Sequence, residues 1–308
     1  MPNIWTHFIW GEEVLKRLQI AEPVLKSPRE AALFRFGCQG PDLLFYHRFY
    51  PWMKQQAAFA GKLGSVMHKK RCGLFLGSLL EDCAGLPLHH PKTVYTLGFL
   101  AHHVLDRQAH PFVFAREGSR SRDHQRLEVA LDTLVAERER GIQTRFTPVA
   151  PYLYSGAALD PEVASALTKA LLKTYPEYAG RVSDDLWNES YRDMLAANRI
   201  FHDPYGVKRI LTGGAIEPFV PGRRTNPADA ANERRDEWRP PAAKENTSRE
   251  SFWDVWNRSF DDGERVLKAA VDWLRAANEH PDRMSAAWDE FRLALGDLSY
   301  ETGLACEA

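Results

Sequence analysis

Apolar residues recur along this 308-residue chain at the three- and four-residue spacing of helices. No convincing run of alternating β-branched residues interrupts that spacing. Glu12 to Ile20 carries Val14, Leu15, Leu18 and Ile20 as its apolar positions. Ser27 to Phe36 reads as a short helix, with Ser27 as N-cap, Pro28 at the first helical position and Glu30 completing a capping box. Gly37 and the Gly40-Pro41 pair then predict a turn just before Asp42. Gln55 to His68, interrupted by Gly61 and Gly64, and Gly73 to Cys83 are the next helices, followed by a connector from Gly85 to Pro91. Thr93 to His110 is an apolar helix that Pro111 should stop. Ser121 to Arg140 is amphipathic and ends at Gly141.

Two further helices are expected from Pro161 to Thr174 and from Ser183 to Ile200. Residues 213 to 248 break the pattern: Gly-Gly, Pro-Gly-Arg-Arg, Asn-Pro and Arg-Pro-Pro mark a long polar loop or mobile lid. Ser251 to Asn278 then offers Phe252, Val255, Trp256, Phe260, Val266, Leu267, Ala270 and Leu274 for burial, and Asp282 to Leu298 is the last helix. No repeat period is visible. The expectation is a single all-α domain over residues 1–308, a multi-helix bundle with its chemistry in 1–140, an insertion at 213–248 and closing helices over 249–308.

Composition narrows the partners. The chain is 44% hydrophobic and 26% charged with a formal net charge of -1, which argues against a long electrostatic track for duplex nucleic acid. No stretch approaches the length of apolar sequence that spans a membrane. The N-terminus lacks a basic region followed by an apolar one, so a cytoplasmic location is expected. Cys38, Cys72, Cys83 and Cys306 show no Cys-x-x-Cys spacing and are read as buried, reduced thiols. Histidine is the lopsided residue: nine of eleven fall within the first 124 positions, so any histidine-based chemistry should be there.

The spacing within that region is informative. His102, Asp106 and His110 follow one another at four-residue steps, as do His124 and Glu128, so each set lies along one helix face. Leu97, Leu100 and Val104 take the other side of the first helix; Leu127, Leu131 and Leu134 form the buried side of the second. A single histidine on such a helix is most simply a satisfied core residue. An ordered trio of imidazole, carboxylate and imidazole must be paired or metal-bound, because unpaired buried charge is expensive, and it points to a metal site. His103 falls outside the series, as an outer-shell or core residue. Asp42, His68 and His7 are isolated candidates, each with an ordinary alternative: an N-cap, a histidine at a helix C-terminus, and a packed ring.

Five segments occur in order: Met-Pro-Asn-Ile-Trp-Thr-His, Gly-Pro-Asp-Leu-Leu-Phe-Tyr, Met-His, Ala-His-His-Val-Leu-Asp-Arg-Gln-Ala-His-Pro and Asp-His-Gln-Arg-Leu-Glu. Together they resemble the zinc-dependent phospholipase C family, which is similar in fold to single-strand-specific zinc nucleases. The resemblance covers residue 1 to about residue 135. It implies a phospholipase C/nuclease-like all-α bundle holding two to three zinc ions. Asp42, His68, His102 and Asp106 would hold one ion, and His110, His124 and Glu128 a second. His7 and a bridging Asp106 would hold a third, together with the N-terminal amine. Secreted members of the family expose a processed N-terminal Trp there, whereas this chain begins Met1-Pro2 and would offer a Pro2 amine only after loss of Met1.

The implied activity is zinc-dependent hydrolysis of a phosphodiester, since zinc lowers the pKa of bound water from about 15.7 toward roughly 7. Asp42 is the catalytic candidate, as a ligand that also orients the attacking water. His103 and Asp132 are candidate outer-shell partners. The aromatic run from Phe45 to Trp52 is either a pocket wall for a choline-like cation or a base, or core packing. Arg35 and Arg48 are candidates for approaching a phosphate, or plain surface residues. A small phosphoester or a phospholipid headgroup is the expected substrate, and the missing secretion signal favours a cytosolic one. A nuclease-like phosphodiesterase and a non-catalytic, metal-stabilised protein that binds a phosphorylated ligand are the alternatives. The His202-Asp203 doublet, followed by Pro204, reads as a turn rather than a phosphohydrolase motif.

Overall fold

Helices form where the apolar spacing places them, and a computed structural model describes them over residues 4–221 and 229–306. Among the described residues there are fourteen α-helices and no strand, so the fold is all-α; the extended pairing is two isolated antiparallel bridges, Trp238 with Ser248 and Leu298 with Ala305. The longer helices are α1 (Ile4–Arg17), α2 (Pro28–Gly37), α3 (Lys54–Met67), α4 (Cys72–Glu81), α5 (Pro91–Arg116), α6 (Asp123–Arg140), α7 (Pro161–Thr174) and α8 (Asp184–Phe201). A short α9 (Val207–Leu211) precedes α10 (Phe252–Glu279) and α11 (Met284–Leu295).

The centre of the molecule is α5. Leu97, Leu100 and Val104 are fully buried, and so are His102, His103 and Asp106 on its other faces. A helix buried all round must be covered by neighbours, and α2, α10, α1 and α7 pack against it. The apolar residues expected to be buried on α10, from Phe252 to Leu274, are all in the core. Arg107 of α5 donates from Nε and Nη2 to both Asp262 oxygens of α10, at 2.9 and 2.8 Å, closing that contact with a partly buried ion pair.

The last helix ends at Leu295 and not at Leu298, which instead pairs with Ala305, and two other boundaries differ more instructively from the expectation. First, α5 does not stop at His110 but carries Pro111 inside it and continues to Arg116. An internal proline removes one helical donor and crowds the carbonyl four residues back, at a cost of about 3 kcal/mol. That carbonyl belongs to Arg107, and the chain covers it with Gly303, where a side-chain Cβ would stand 2.5 Å from the Arg107 oxygen. Burial of Phe112 and Val113 beyond the proline offsets the loss. Second, α1 begins at Ile4 rather than Glu12. Its first turns, with Ile4, Trp5, Phe8, Ile9 and Trp10 all buried, show no polar face and therefore no amphipathic period. The start of α1 is capped from a distance: Asp132 of α6 accepts from Trp5 N–H at 3.2 Å, Thr6 N–H at 2.6 Å and the Thr6 hydroxyl at 2.8 Å.

The polar stretch at 213–248 is anchored at a few points where it is described. Ile216, Pro218, Val220, Ala230, Ala231 and Trp238 are buried, and Trp238 meets Phe112 edge-on at 5.5 Å. Residues 222–228, the middle of the expected lid, lie outside the described residues.

Candidate metal centre

Five pieces of chain bring the eight candidate residues together. His7 comes from α1, Asp42 from the 3-10 turn Gly40–Asp42, and His68 from the C-cap of α3. His102, Asp106 and His110 come from α5, and His124 and Glu128 from the first turns of α6. The turn that delivers Asp42 depends on Gly40: its φ is +51°, and a Cβ there would lie 2.1 Å from Cδ2 of His102. Only glycine meets both conditions without displacing the imidazole. All eight are buried except His124, which is half-buried.

The donor atoms fall into three groups, each with its ligand atoms within 4.8 Å of one another: His7, His102 and Asp106; Asp42, His68 and His102; and His110, His124 and Glu128. Asp106 lies between imidazoles. Its Oδ1 is 3.2 Å from His7 Nε2 and 3.9 Å from His110 Nε2, while its Oδ2 is 3.1 Å from His102 Nε2. Asp42 Oδ1 is 3.1 Å from His68 Nε2, and Glu128 Oε1 is 2.6 Å from His124 Nε2.

Backbone carbonyls set the tautomers. His68 Nδ1–H donates to Gly64 O at 2.7 Å, His102 Nδ1–H to Cys38 O at 3.0 Å and His110 Nδ1–H to Tyr300 O at 2.7 Å. A carbonyl only accepts, so the proton sits on Nδ1 and the Nε2 lone pair faces the cluster. For His124 the corresponding partner is the Glu117 carboxylate, against Nδ1.

The electrostatics suit a cation. Burial opposes charge on Asp106, yet His110, His102 and His7 around it hold its carboxyl well below the ordinary carboxylate range. Burial pushes His7 and His110 below the ordinary imidazole value and His124 down to about 3. His102 alone is shifted upward, burial being outweighed by Asp106 beside it. Five buried atoms at the centre, Nε2 of His7, His102 and His110 and both Asp106 oxygens, make no hydrogen bond. Such atoms are costly unless something binds them, and a mixed nitrogen and carboxylate set of this kind fits zinc.

Other candidates find other employment. Asp132 is spent on the start of α1, and His103 Nε2 on Leu298 O at 2.8 Å, so neither holds an imidazole of the cluster as an outer-shell partner. Arg35 Nε donates to Glu12 at 2.6 Å, and Arg48 to Glu189 at 3.0 and 3.2 Å. Asp203 of the His202-Asp203 doublet accepts from Lys208 and Arg209 N–H at 3.2 and 2.8 Å, which makes it the cap of α9. Sequence reasoning missed Glu117 and the carbonyls of Gly64, Cys38 and Tyr300. Glu117 caps the end of one helix and His124 lies in the first turn of the next, so no single helical register joins them, and a carbonyl leaves no letter in the sequence.

Above the cluster opens a cleft of about 980 Å³, with Asp42, His68, His110, His124 and Glu128 among its lining. The aromatic run supplies much of its wall through Phe45, Tyr46, Phe49, Tyr50 and Trp52, so it is a wall and not core packing. Ala215, Ile216 and Phe219 from the polar stretch line it as well.

An all-helical scaffold that gathers imidazoles and carboxylates at one buried point, under an open cleft, has the make-up of a metal-dependent hydrolase. The family model for zinc dependent phospholipase C matches residues 6–185, which is more than half of the chain. The chain belongs to the zinc-dependent phospholipase C family. No curated protein and no solved structure matches it.

Proposed function

We propose that this protein is a zinc-dependent phosphodiesterase acting on a phospholipid headgroup or a small phosphodiester. The observation that carries the reading is the convergence of five buried ligand-type atoms from His7, His102, Asp106 and His110, facing one another without a well-formed hydrogen bond, beneath an aromatic cleft. Two to three zinc ions, when bound, would acidify water and neutralise phosphate oxygens. Asp42, His68, His102 and Asp106 would hold one; His110, His124 and Glu128 a second; His7 and Asp106 a third. The amine expected to complete that third set belongs to Met1-Pro2, outside the described residues.

Asp42 lines the cleft, whereas His7, His102 and Asp106 do not. With Glu128 it is one of the two cluster carboxylates that reach the cleft, and in this reading Asp42 orients the attacking water through one oxygen. The Nδ1–H bonds of His68, His102 and His110 to carbonyls fix their rings, so little reorganisation accompanies the reaction. Among the described residues no helix is long and apolar enough to cross a membrane. The cleft mouth is apolar all the same: Phe45 and Trp52 are 44% and 78% exposed, which favours a phospholipid over a wholly polar phosphoester. The same aromatic wall suits a stacked base, the nuclease-like reading.

The test is metal analysis followed by parallel assays on choline phospholipid, single-stranded DNA and small phosphodiesters. Zinc-dependent release of a phosphorylated headgroup is expected. A zinc-loaded protein that cleaves none of the three would overturn the enzymatic reading in favour of a metal-stabilised binding protein.

A further inference from the structure

Two of the four cysteines take no part in the cluster yet meet each other. Cys72, at the first position of α4, and Cys306, after the last helix, have their Sγ atoms 3.3 Å apart. Their approach is fixed by one residue: the Asp297 side chain accepts from Gly73 N–H at 2.8 Å, and its carbonyl accepts from Cys306 N–H at 2.9 Å. Gly73 also runs so close to the segment after α11 that a Cβ there would stand 2.0 Å from Gly296 O. Closing the sulfurs to the roughly 2.05 Å of a disulfide is a movement of about 1.3 Å, within reach of side-chain rotation in Cys306. Cys306 is half-buried and Cys72 fully buried, so a reagent reaches Cys306 first.

The segment that ends in Cys306 is fastened to the candidate metal centre. Tyr300 N–H donates to His68 O at 3.0 Å, and the Ser299 hydroxyl donates to the same oxygen at 3.1 Å. Tyr300 O takes the Nδ1 proton of His110. Ser299 N–H closes on Leu304 O at 2.8 Å, so residues 299–304 form a small folded loop against two of the candidate ligands.

We propose that Cys72 and Cys306 are a modification site for a low-molecular-weight disulfide of the glutathione type, which converts them into an internal cross-link stapling this loop onto the metal centre. The Cys306 sulfur attacks one sulfur of the reagent, and the other half leaves as a thiol carrying the Cys306 proton. The Cys72 sulfur then attacks the mixed disulfide at Cys306, its proton leaving with the second thiol. The balance is one reagent disulfide and two protein thiols giving one protein disulfide and two small thiols. Cys38 and Cys83 are fully buried elsewhere in the core and serve as internal controls.

The zinc-loaded protein is incubated with glutathione disulfide, alkylated, digested without reduction and analysed by mass spectrometry. A Cys72–Cys306 peptide pair is expected, with Cys38 and Cys83 alkylated only after unfolding. The cross-linked form should unfold about 5 °C higher, as expected for a long closed loop, and should lose zinc to a chelator several-fold more slowly. Cys306→Ser, at the half-buried end, and Cys72→Ser should each abolish the cross-link and both gains. A glutathione adduct that stays on Cys306, a pairing that involves Cys38 or Cys83, or no reaction at all would refute the site. A correct cross-link with unchanged zinc release would refute the stapling.

Discussion

Asp106→Asn is the most informative single change, because it preserves shape while removing the one carboxylate shared by three imidazoles. Asp106 is fully buried, with Oδ1 and Oδ2 3.2 and 3.1 Å from the Nε2 atoms of His7 and His102. A unit charge about 4 Å from another is worth about 4 kcal/mol at the effective dielectric constant of roughly 20 that suits such sites. Zinc carries two charges, so removing the carboxylate from beside it should weaken binding by at least about a thousandfold, at 1.4 kcal/mol per factor of ten. Two ions share this carboxylate in the proposed arrangement, so the loss should fall on both, and zinc content should drop by more than one equivalent. The assay is zinc stoichiometry by mass spectrometry, with affinity from competition with a chromogenic chelator and phosphodiester hydrolysis measured in parallel. His103→Gln, one residue outside the four-step series and bonded to Leu298 O, is the control and should keep its zinc. If Asp106→Asn retains wild-type stoichiometry and affinity, the shared-ligand arrangement is wrong.

Three further outcomes follow from the same geometry. Glu117→Gln removes the carboxylate behind His124 and should weaken zinc binding by about 10- to 100-fold, measured by the same competition; an unchanged affinity would make that contact incidental. Gly40→Ala places a methyl 2.1 Å from the His102 ring at a φ of +51°, and should cost about 1–3 kcal/mol of stability together with zinc content; a denaturation midpoint equal to wild type would contradict it. Burial holds His124 at about 3 in the folded protein, against about 6.5 in the unfolded chain. Its neutral form therefore contributes stability that is present above about 6.5 and is lost as pH falls toward 3. Metal-free wild type should lose more stability than metal-free His124→Gln between pH 7 and 5, and parallel melting curves would refute this.

What could be read from the sequence was whatever a single helix carries within itself. Pro161–Thr174 appears with the expected boundaries because its cap, apolar stripe and end all lie in those residues. His102, Asp106 and His110 could be grouped from spacing for the same reason, as could His124 and Glu128. His7, Asp42 and His68 have no register with them and were grouped through the family resemblance alone. The continuation of α5 through Pro111 was illegible because the residue that covers the freed carbonyl, Gly303, is far away in the chain. The ring-orienting carbonyls were illegible in principle, since every residue has one. Arg48 lines the cleft, but its pairing with Glu189 could not be foreseen because that partner lies on a distant helix.

The contact between Tyr300 O and His110 Nδ1 also imposes an order of events on biosynthesis. Every candidate ligand from His7 to Glu128 has been polymerised long before Tyr300. At about 5–20 residues per second, a growing chain spends on the order of ten seconds or more with its histidines made and His110 unoriented. Zinc captured during that interval would meet a loose, exchangeable set of imidazoles, with the His110 ring oriented only once the Tyr300 segment has docked.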